Sequence, residues 1–295
     1  MGIRITNVFA GYGDSILNGD AMRGRTVFHL ADHALKNTLK QDTVYSHLLA
    51  ATSCPDSIAP SLGQCINQQY NDKLGSSHTI DIVQGCAGGI SALIIASQLA
   101  ELNKSNVLVV AADAAQKATS PTSEVYNVFK NGVFACCVSY TEDDCRLIYH
   151  QSKQYKDLYS VVTISLGHDA DAIIAQNIGD MTSDPRKHLG LRLHNQLAIK
   201  LMMEAEKFYL DFIEHTGHPD YLILHQVNEH IINHLEKVFS KYPTQFINKA
   251  KETGNCGCAT TGILFYNLKH EIRNKTVMIC SFGTGGVITA GLWQL

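Results

Sequence analysis

Three short loops in the sequence carry side chains that suit covalent acyl chemistry. Cys86 stands in QGCAGG after an apolar run, His225 follows the run YLIL, and Asn255 stands in TGNCGCATTG. A thiolate attacks thioesters and then holds the acyl group covalently. An imidazole and a carboxamide donate hydrogen bonds to a developing oxyanion, each worth about 2.7 to 4 kcal/mol. The three residue types together are consistent with an acyl-transfer site.

Each of these residues also has a structural interpretation. The chain holds 9 cysteines and 14 histidines, so a single one more often belongs to a packed core than to a reactive site. An asparagine directly after a glycine, as at Gly254, is typical of a turn or a helix cap. The loops of Cys86 and Asn255 are rich in small residues and contain glycine, Cys86 and His225 stand after apolar runs, and both interpretations remain open.

The elements around the loops alternate between strands and helices. Apolar runs such as TIDIVQ, NVLVVAAD and DYLILHQ predict strands, and helical spacing predicts helices over Arg23–Lys40 and Leu189–His215. GVFACCVSYT and RLIYHQSK are expected to form a strand pair. The alternation predicts a mostly parallel α/β fold, in which side chains at the carboxyl ends of strands converge on one crevice. We therefore expect Cys86, His225 and Asn255 to lie close together.

The order of the elements recurs in the second part of the chain, without repetition at the level of residues. This predicts two pseudo-duplicated halves, residues 1–155 with Cys86 and residues 156–295 with His225 and Asn255. No linker rich in Pro, Gly or Ser separates them, so we expect the two halves to share one layered body.

Composition argues against several classes of protein. The 295 residues carry a net charge of -3, which provides no general attraction to nucleic acid or to an anionic membrane. The N-terminal residues lack the apolar core of a signal peptide, and the run Ile90–Ala100 is shorter than the ~20 residues that span a bilayer. An odd number of cysteines argues against a disulfide framework, and we expect a cytoplasmic protein.

Other chemical sites fit the sequence less well. The C-x-C of Cys256 and Cys258 lacks the C-x2-C pairing of a zinc site, and we expect no metal. A cysteine followed far downstream by a histidine and an asparagine is also the order in papain-like proteases, but QGCAGG lacks their C-G-x-C-[WY] signature. GTGGVITAG near the C-terminus is followed by too few residues for a dinucleotide-binding βαβ unit.

Five segments together resemble the β-ketoacyl-acyl-carrier-protein synthase III branch of the thiolase superfamily. DIVQGCAGGISAL is similar to the family's nucleophile turn, D-x-x-x-x-C-A-G, and HQVNEHII is similar to H-Q-A-N-x-R-I. GNCGCATTG is similar to G-N-T-S-A-A-S, and SFGTGGVITAGLWQL is similar to the glycine-rich C-terminal turn. LLAATSCPDSIAPSLGQCI resembles the A-T-x-[TS] stretch before the nucleophile, so the segments extend from Leu48 to Leu295.

The resemblance implies a five-layer αβαβα thiolase-like fold, usually dimeric, and ping-pong thioester chemistry. Cys86 is expected to take an acyl group from an acyl-CoA or an acyl carrier protein. His225 and Asn255 are expected to assist decarboxylation of a malonyl carrier-protein thioester, whose carbanion then attacks the acyl-enzyme. No permanently bound cofactor is expected, because the substrates are themselves thioesters of phosphopantetheine.

The resemblance also points to residues outside this triad. The glycine-rich turn, whose backbone N–H groups contribute to the family's oxyanion hole, matches Gly283, Thr284 and Gly285. Asn228 and His230 lie in the segment similar to H-Q-A-N-x-R-I, with His230 at the position of the arginine. Lys237, on the same predicted helix, is a candidate contact for an acidic carrier protein.

The chain departs from the family pattern near its N-terminus. Fewer residues precede Cys86, and the segment in which a tryptophan and an arginine grip CoA is not recognisable, since the only tryptophan is Trp293. This opens two alternatives to a CoA donor, which are a carrier-protein donor and a partner subunit that completes the site. The shortened segment favours a specialised synthase of fatty-acid-like or polyketide secondary metabolism.

Two further functions remain open. One is an acyltransferase of the same fold that passes the acyl group to an alcohol or an amine without decarboxylation. The other is a subunit of a heteromeric ketosynthase, although such subunits commonly lack the cysteine that this chain keeps. We expect a homodimer, or a heteromer with a related ketosynthase subunit, with acyl carrier protein as the partner.

Overall fold

Two five-stranded sheets form the frame of the protein. The computed structural model of the chain describes residues 2–13, 26–119, 126–166 and 189–295. The strands of the first sheet are β1 (Gly2–Tyr12), β2 (Tyr45–Ala51), β3 (His78–Ile82), β4 (Asn106–Ala114) and β5 (Asn131–Thr141). Their spatial order is β1-β5-β4-β2-β3, in which β2 is parallel to β3 and β4, and β5 is antiparallel to β1 and β4.

The second sheet repeats this order. The strands that follow along the chain are β6 (Arg146–Gln154), β7 (Val162–Leu166), β8 (Leu189–Leu193), β9 (Tyr221–Leu224), β10 (Gln245–Ile247), β11 (Thr276–Gly283) and β12 (Val287–Gln294). The sheet runs β6-β12-β11-β9-β10, while β7 and β8 form a separate antiparallel pair. In both sheets the spatial order is first, fifth, fourth, second and third strand, so the pseudo-duplication is visible in the topology.

Helices supply the other three layers. They are α1 (Thr26–Thr38), α2 (Leu62–Gln69), α3 (Asn71–Leu74), α4 (Gly88–Asn103), α5 (Asn195–Thr216), α6 (Glu229–Phe239), α7 (Ala250–Thr253) and α8 (Thr260–Leu268). α4 and α8 lie between the sheets, α1 and α2 cover the first sheet, and α5 and α6 cover the second. This is the five-layer αβαβα arrangement that the resemblance implies, and that prediction is confirmed.

Residue types explain which helices occupy the central layer. α4 is apolar on most sides, and residues such as Ile90 and Leu93 are buried between the sheets. α6 buries a single stripe, formed by Ile232, Leu235 and Phe239, and exposes its opposite face. A helix that is apolar all round is stable only where it is covered on all sides, whereas an amphipathic helix belongs at a surface.

The segment Gly85–Asn103 is also long and apolar enough, by composition, to cross a membrane. It is the only such helical segment within the described ranges, with a mean hydropathy of 1.4, and 61% of this stretch is buried inside the fold. A buried core helix of this kind meets the same criteria of length and composition.

The prediction of mostly parallel sheets is wrong, because half of the strand pairings in each sheet are antiparallel. β11 and β12 show the reason. The turn between them is only three residues long, Thr284 to Gly286, and so short a connection permits only antiparallel pairing. Strand alternation along the sequence does not reveal such a final hairpin.

The predicted strand pair between GVFACCVSYT and RLIYHQSK is also wrong. The first run forms β5, which bonds to β1 and β4, whereas the second forms β6, which bonds to β12 in the other sheet. Burial explains this separation, since β5 is covered along most of its length and β6 alternates between exposed and half-buried residues. β6 therefore joins the second sheet although it precedes residue 155, and the division of the chain at that residue stays a prediction.

The helix predicted over Leu189–His215 begins later than expected. Leu189–Leu193 forms β8 instead, which pairs with β7, and the helix starts at Asn195. The alternation in LGLRL suits a strand better than a helix once a partner strand is present. The helix predicted over Arg23–Lys40 is present over Thr26–Thr38, and Arg23 lies outside the described residues.

Candidate active site

Cys86 lies where the chain turns from β3 into the central helix α4. It occupies the 3-10 turn Gly85–Ala87 at the N-terminal end of that helix, and it is partly exposed. Gly85 has a φ of +54°, which favours glycine, and a Cβ there would lie 2.5 Å from the Thr284 side chain. The glycine before the cysteine is therefore needed for the nucleophile turn to pack against the C-terminal turn.

His225 lies at the end of β9 and is buried. Its backbone N–H donates to the carbonyl oxygen of Cys280 at 2.9 Å, which extends the pairing between β9 and β11. Only 2% of the residue is exposed. Its Nε2 atom lies 3.0 Å from Oδ1 of Asn255, so the two predicted residues are in direct contact.

Backbone hydrogen bonds hold Asn255 in place. Its N–H donates to the carbonyl oxygen of Val128 at 3.0 Å, and its own carbonyl oxygen accepts the N–H of Lys130 at 2.9 Å. Gly254, directly before it, has a φ of +62°. The segment around Phe129 thus fixes the backbone of Asn255 from one side, and the carboxamide remains available to His225.

The hydrogen bonds of Asn255 also define the tautomer of His225. Gly257 N–H donates to Asn255 Oδ1 at 3.0 Å, so the atom that faces the imidazole is an oxygen. Nε2 of His225 must therefore carry the proton of the shared hydrogen bond. Asn255 Nδ2 donates to the carbonyl oxygen of Val227 at 3.4 Å. In the neutral imidazole, Nδ1 is therefore the unprotonated nitrogen.

Burial shifts the pKa of both the Cys86 thiol and the His225 imidazole. It raises the pKa of the Cys86 thiol, and the Asp113 carboxylate raises it further. Burial also lowers the pKa of His225 to about 4, although the hydrogen bond to Asn255, the charge of Asp113 and the backbone of Phe282 oppose this change. Both shifts favour the uncharged forms, so the free site contains a thiol and a neutral imidazole.

Asp113 lies in the same region. In the sequence, only its position at the end of the run NVLVVAAD could have marked it as a residue near the site. Its carboxylate is fully buried. It accepts hydrogen bonds from Thr52 Oγ1, Ser53 N, Ser53 Oγ, Cys54 Sγ and Cys258 N. Asp113 therefore connects the loop after β2 to the loop that carries Asn255.

A mainly apolar cavity of about 150 Å³ joins these residues. Cys86, His225 and Asn255 all line it, so the structure brings the three predicted side chains together. Apolar walls come from the β7–β8 pair and from α5, through Val162, Ile164, Leu191, Leu193, Leu201 and Met202. A pocket with apolar walls and polar groups at one end suits an acyl chain with a reactive carbonyl.

The three residues of the glycine-rich turn occupy different positions. Gly283 and Thr284 line the cavity beside Cys86. Gly285, with a φ of +76°, instead accepts a hydrogen bond from the side chain of Gln154 through its carbonyl oxygen. Of the three residues, Gly283 and Thr284 thus line the cavity, and a role of this turn in the oxyanion hole stays a prediction.

The weaker candidate residues all belong to one helix. Asn228 caps α6, since its Oδ1 accepts the Ile231 N–H at 2.9 Å, and it also lines the cavity. His230 and Lys237 are exposed on the same helix. α6 therefore leads from the cavity to the surface, and a role of these residues in carrier binding stays a prediction.

The cysteines and acidic residues form neither a disulfide nor a metal-binding arrangement in the described part of the chain. None of the 9 cysteines forms a disulfide, and most are buried. No group of three or more His, Cys, Asp or Glu side chains in the described ranges is arranged to hold a metal ion.

Known proteins resemble both parts of the chain that carry the site. The family described as 3-oxoacyl-[acyl-carrier-protein] synthase III matches residues 80–154, which include Cys86. The C-terminal part of the same family matches residues 215–295, which include His225 and Asn255. Together the two matches cover more than half of the chain.

Individual relatives agree with this assignment. The chain is 25% identical over 280 residues to the β-ketoacyl-[acyl-carrier-protein] synthase III of Limosilactobacillus reuteri, which covers 89% of this chain and 81% of the relative. It is also 25% identical over 282 residues to synthase III 1 of Vibrio parahaemolyticus, with coverage of 90% and 83%.

Solved structures share the whole fold. The 3-oxoacyl-[acyl-carrier-protein] synthase III of Aquifex aeolicus superposes with a TM-score of 0.77 at 19% identity, and the match covers 100% of both chains. OleA of Xanthomonas campestris superposes with a TM-score of 0.75 at 15% identity, with coverage of 100% and 99%. The chain belongs to the β-ketoacyl-acyl-carrier-protein synthase III-like branch of the thiolase superfamily, and it is an acyltransferase-type enzyme with thioester chemistry.

Proposed function

We propose that this chain is a decarboxylative condensing enzyme, which joins an acyl group held on Cys86 to a malonyl carrier-protein thioester. One observation carries the proposal. Cys86, His225 and Asn255 line a single apolar cavity, and His225 and Asn255 are hydrogen-bonded to each other at its polar end. The nucleophile and the oxyanion donors thus face the space that an acyl chain would enter.

In the first half-reaction, the Cys86 sulfur attacks the carbonyl carbon of an acyl thioester. The bond between that carbon and the donor sulfur breaks, an S-acyl bond to Cys86 forms, and the thiol proton leaves with the donor. Because burial keeps the free thiol protonated, we expect proton transfer to accompany the attack rather than to precede it. The N–H groups at Gly283 and Thr284 are the candidate donors to the oxyanion.

In the second half-reaction, the malonyl thioester loses carbon dioxide, and the released electron pair forms an enolate. Nε2–H of His225 and Nδ2–H of Asn255 donate to the enolate oxygen. The carbanion carbon then attacks the acyl carbonyl, a carbon–carbon bond forms, and Cys86 leaves as a thiolate that takes up a proton. A neutral imidazole suits this step because it donates a hydrogen bond without giving up its proton.

The partner of both half-reactions is expected to be an acyl carrier protein, with acyl-CoA as the other possible acyl donor. The exposed Lys237 on α6 provides a positive charge that complements an acidic carrier. We further propose a cytoplasmic enzyme of fatty-acid-like or polyketide metabolism that forms a homodimer or pairs with a related ketosynthase subunit.

Intact-protein mass spectrometry after incubation with a panel of acyl-CoAs and acyl carrier proteins tests the loading step. We expect an acyl adduct on the wild type and none on Cys86→Ala. Cys145→Ala is the matched control, since Cys145 is another partly exposed thiol and lies between β5 and β6. An adduct on Cys86→Ala, or none on the wild type with any donor, would contradict the proposal.

Release of isotope-labelled carbon dioxide from malonyl carrier protein tests the condensation step. The acylated wild type is expected to release it and to form a β-ketoacyl product. Acylation of Cys86 without any such release would instead favour an acyltransferase of the same fold, which passes the acyl group to an alcohol or an amine.

A further inference from the structure

Asp113 is a buried carboxylate that the proposed reaction does not use directly. We infer that Asp113 is a positioning residue, whose carboxylate ties the Thr52–Cys54 loop to the loop that ends at Cys258 and thereby sets the His225–Asn255 pair against Cys86. This inference rests on the proposed function. It is carried by hydrogen bonds that meet at one side chain from two distant parts of the sequence.

The two carboxylate oxygens divide these hydrogen bonds between the loops. Oδ1 accepts from Thr52 Oγ1 at 2.9 Å, from Ser53 N at 2.6 Å and from Cys54 Sγ at 3.3 Å. Oδ2 accepts from Ser53 Oγ at 2.7 Å and from Cys258 N at 2.7 Å. One group therefore fixes both loops, and Ser53 in turn lines the cavity.

A short chain of contacts links Asp113 to the catalytic pair. Gly257 approaches the carboxylate so closely that a Cβ would lie 2.0 Å from Oδ2, and its φ of +57° favours glycine. The N–H of Gly257 donates to Asn255 Oδ1, which faces Nε2 of His225. A displacement of the Gly257–Cys258 backbone would thus reach the imidazole through a single side chain.

Among the residues that the structure describes, no ion pair compensates the burial of Asp113. Its relative exposure is 0%, and the ion pairs within the described ranges do not include it. A carboxylate loses much favourable hydration on burial, so its retention requires a compensating interaction or a use. The hydrogen bonds to the two active-site loops supply that interaction.

The charge of Asp113 also reaches the reactive groups. The titratable groups that it faces are the thiols of Cys54, Cys86, Cys256 and Cys258 and the imidazole of His225. The carboxylate raises the pKa of the Cys86 thiol and that of His225. Removal of the charge should therefore ease the formation of the Cys86 thiolate, while loss of the hydrogen bonds displaces Asn255.

Asp113→Asn is therefore expected to affect the two half-reactions in different directions. Carbon dioxide release should fall by about tenfold or more, because small displacements of positioned groups are costly. Acylation of Cys86 should be unchanged or faster. A variant that is merely destabilised would slow both steps, so this split separates a positioning role from a general structural one.

The experiment measures both half-reactions and the rate of Cys86 alkylation by iodoacetamide as a function of pH, with the site identified by peptide mass spectrometry. Alkylation needs no substrate, and in Asp113→Asn its pH dependence should shift to lower pH. Asp220→Asn is the matched control. Its carboxylate accepts hydrogen bonds from the Thr276 backbone and hydroxyl at the opposite end of β9, and we expect wild-type values.

A folded Asp113→Asn with wild-type carbon dioxide release and an unchanged alkylation profile would overturn the inference. Should that variant fail to fold, Thr52→Val replaces it, since it removes one donor to Asp113 and keeps the shape of the side chain. It should produce smaller changes in the same directions, and wild-type values would likewise overturn the inference. If the wild type loads no acyl donor at all, the proposed function fails, whereas the alkylation profile still shows whether Asp113 acts on Cys86.

Discussion

Oδ1 of Asn255 accepts two hydrogen bonds, from Nε2 of His225 at 3.0 Å and from the Gly257 N–H at 3.0 Å. The carboxamide oxygen therefore holds the imidazole in its Nε2–H tautomer before any substrate binds. When a substrate binds, the Nε2–H group must break its hydrogen bond to Asn255 Oδ1 and donate to the substrate carbonyl oxygen instead. Only Nδ2 of Asn255 can then donate to the developing enolate, so the two ends of this side chain have different tasks.

Replacement of Asn255 by aspartate separates these two tasks. Asn255→Asp keeps an oxygen toward His225 and Gly257 but removes the Nδ2 donor and places a negative charge beside the enolate. We expect carbon dioxide release to fall by about 10²- to 10³-fold, the usual cost of one oxyanion donor, while acylation of Cys86 persists. Asn248→Asp is the control, since Asn248 bonds to Asn233 and Glu236 outside the cavity. Wild-type carbon dioxide release in Asn255→Asp would remove Asn255 from the mechanism.

The low pKa of His225 makes the stability of the protein depend on pH. Above pH 6.5 the imidazole is mostly neutral in both the folded and the unfolded state. Below it, the unfolded state binds a proton that the folded state rejects until about pH 4, so the free energy of unfolding decreases over this window. We expect His225 to account for a loss of about 2 kcal/mol between pH 7.5 and pH 5.

Urea denaturation of the wild type and of His225→Asn at these two pH values isolates that contribution from the other histidines. The variant should lose less stability on acidification than the wild type. Equal losses would show that the imidazole titrates normally in the folded state, which its burial argues against.

The sequence alone allowed the triad to be placed, for a physical reason. Apolar runs mark strands, and Cys86 and His225 stand shortly after such runs, so their convergence at the carboxyl ends of strands could be expected. Asp113 lies at the carboxyl end of β4, but a carboxylate at such a position is usually solvated. Its burial depends on donors from Thr52 and Cys258, and no local pattern reveals contacts between such distant residues.

Sheet pairing was harder to predict than the site. β5 and β6 are consecutive along the chain, and short separation normally favours a hairpin. Their different burial decides otherwise, because β5 needs neighbours on both edges and β6 completes the edge of the second sheet.

Gly85 provides a test of the contact between the nucleophile turn and the C-terminal turn. In Gly85→Ala the new Cβ would lie 2.5 Å from the side chain of Thr284 and 2.8 Å from its backbone nitrogen, at a φ of +54°. Gly217→Ala is a matched control, because Gly217 has a φ of +73° but no atom within 4 Å of the Cβ position. The control should lose about 1 to 3 kcal/mol from backbone strain alone.

We expect Gly85→Ala to lose more stability than Gly217→Ala and, unlike the control, to slow acylation of Cys86. Chemical denaturation and intact-protein mass spectrometry measure the two effects. Equal losses of stability with normal acylation in both variants would mean that the packing of Thr284 on Gly85 is not required.

Two adjacent methionines on α5 allow the cavity to be tested as the acyl-binding site. Met202 lines the cavity and is 8% exposed, whereas Met203 is 67% exposed. Met202→Trp adds volume to the cavity wall and should reduce loading of the longest accepted acyl chain by about tenfold or more, because each methylene in an apolar pocket contributes substantially to selectivity. Short acyl groups should still load, and Met203→Trp should keep the wild-type profile. Competition between acyl donors of different length, read by mass spectrometry, measures this shift, and an unchanged length profile in Met202→Trp would place the acyl chain elsewhere.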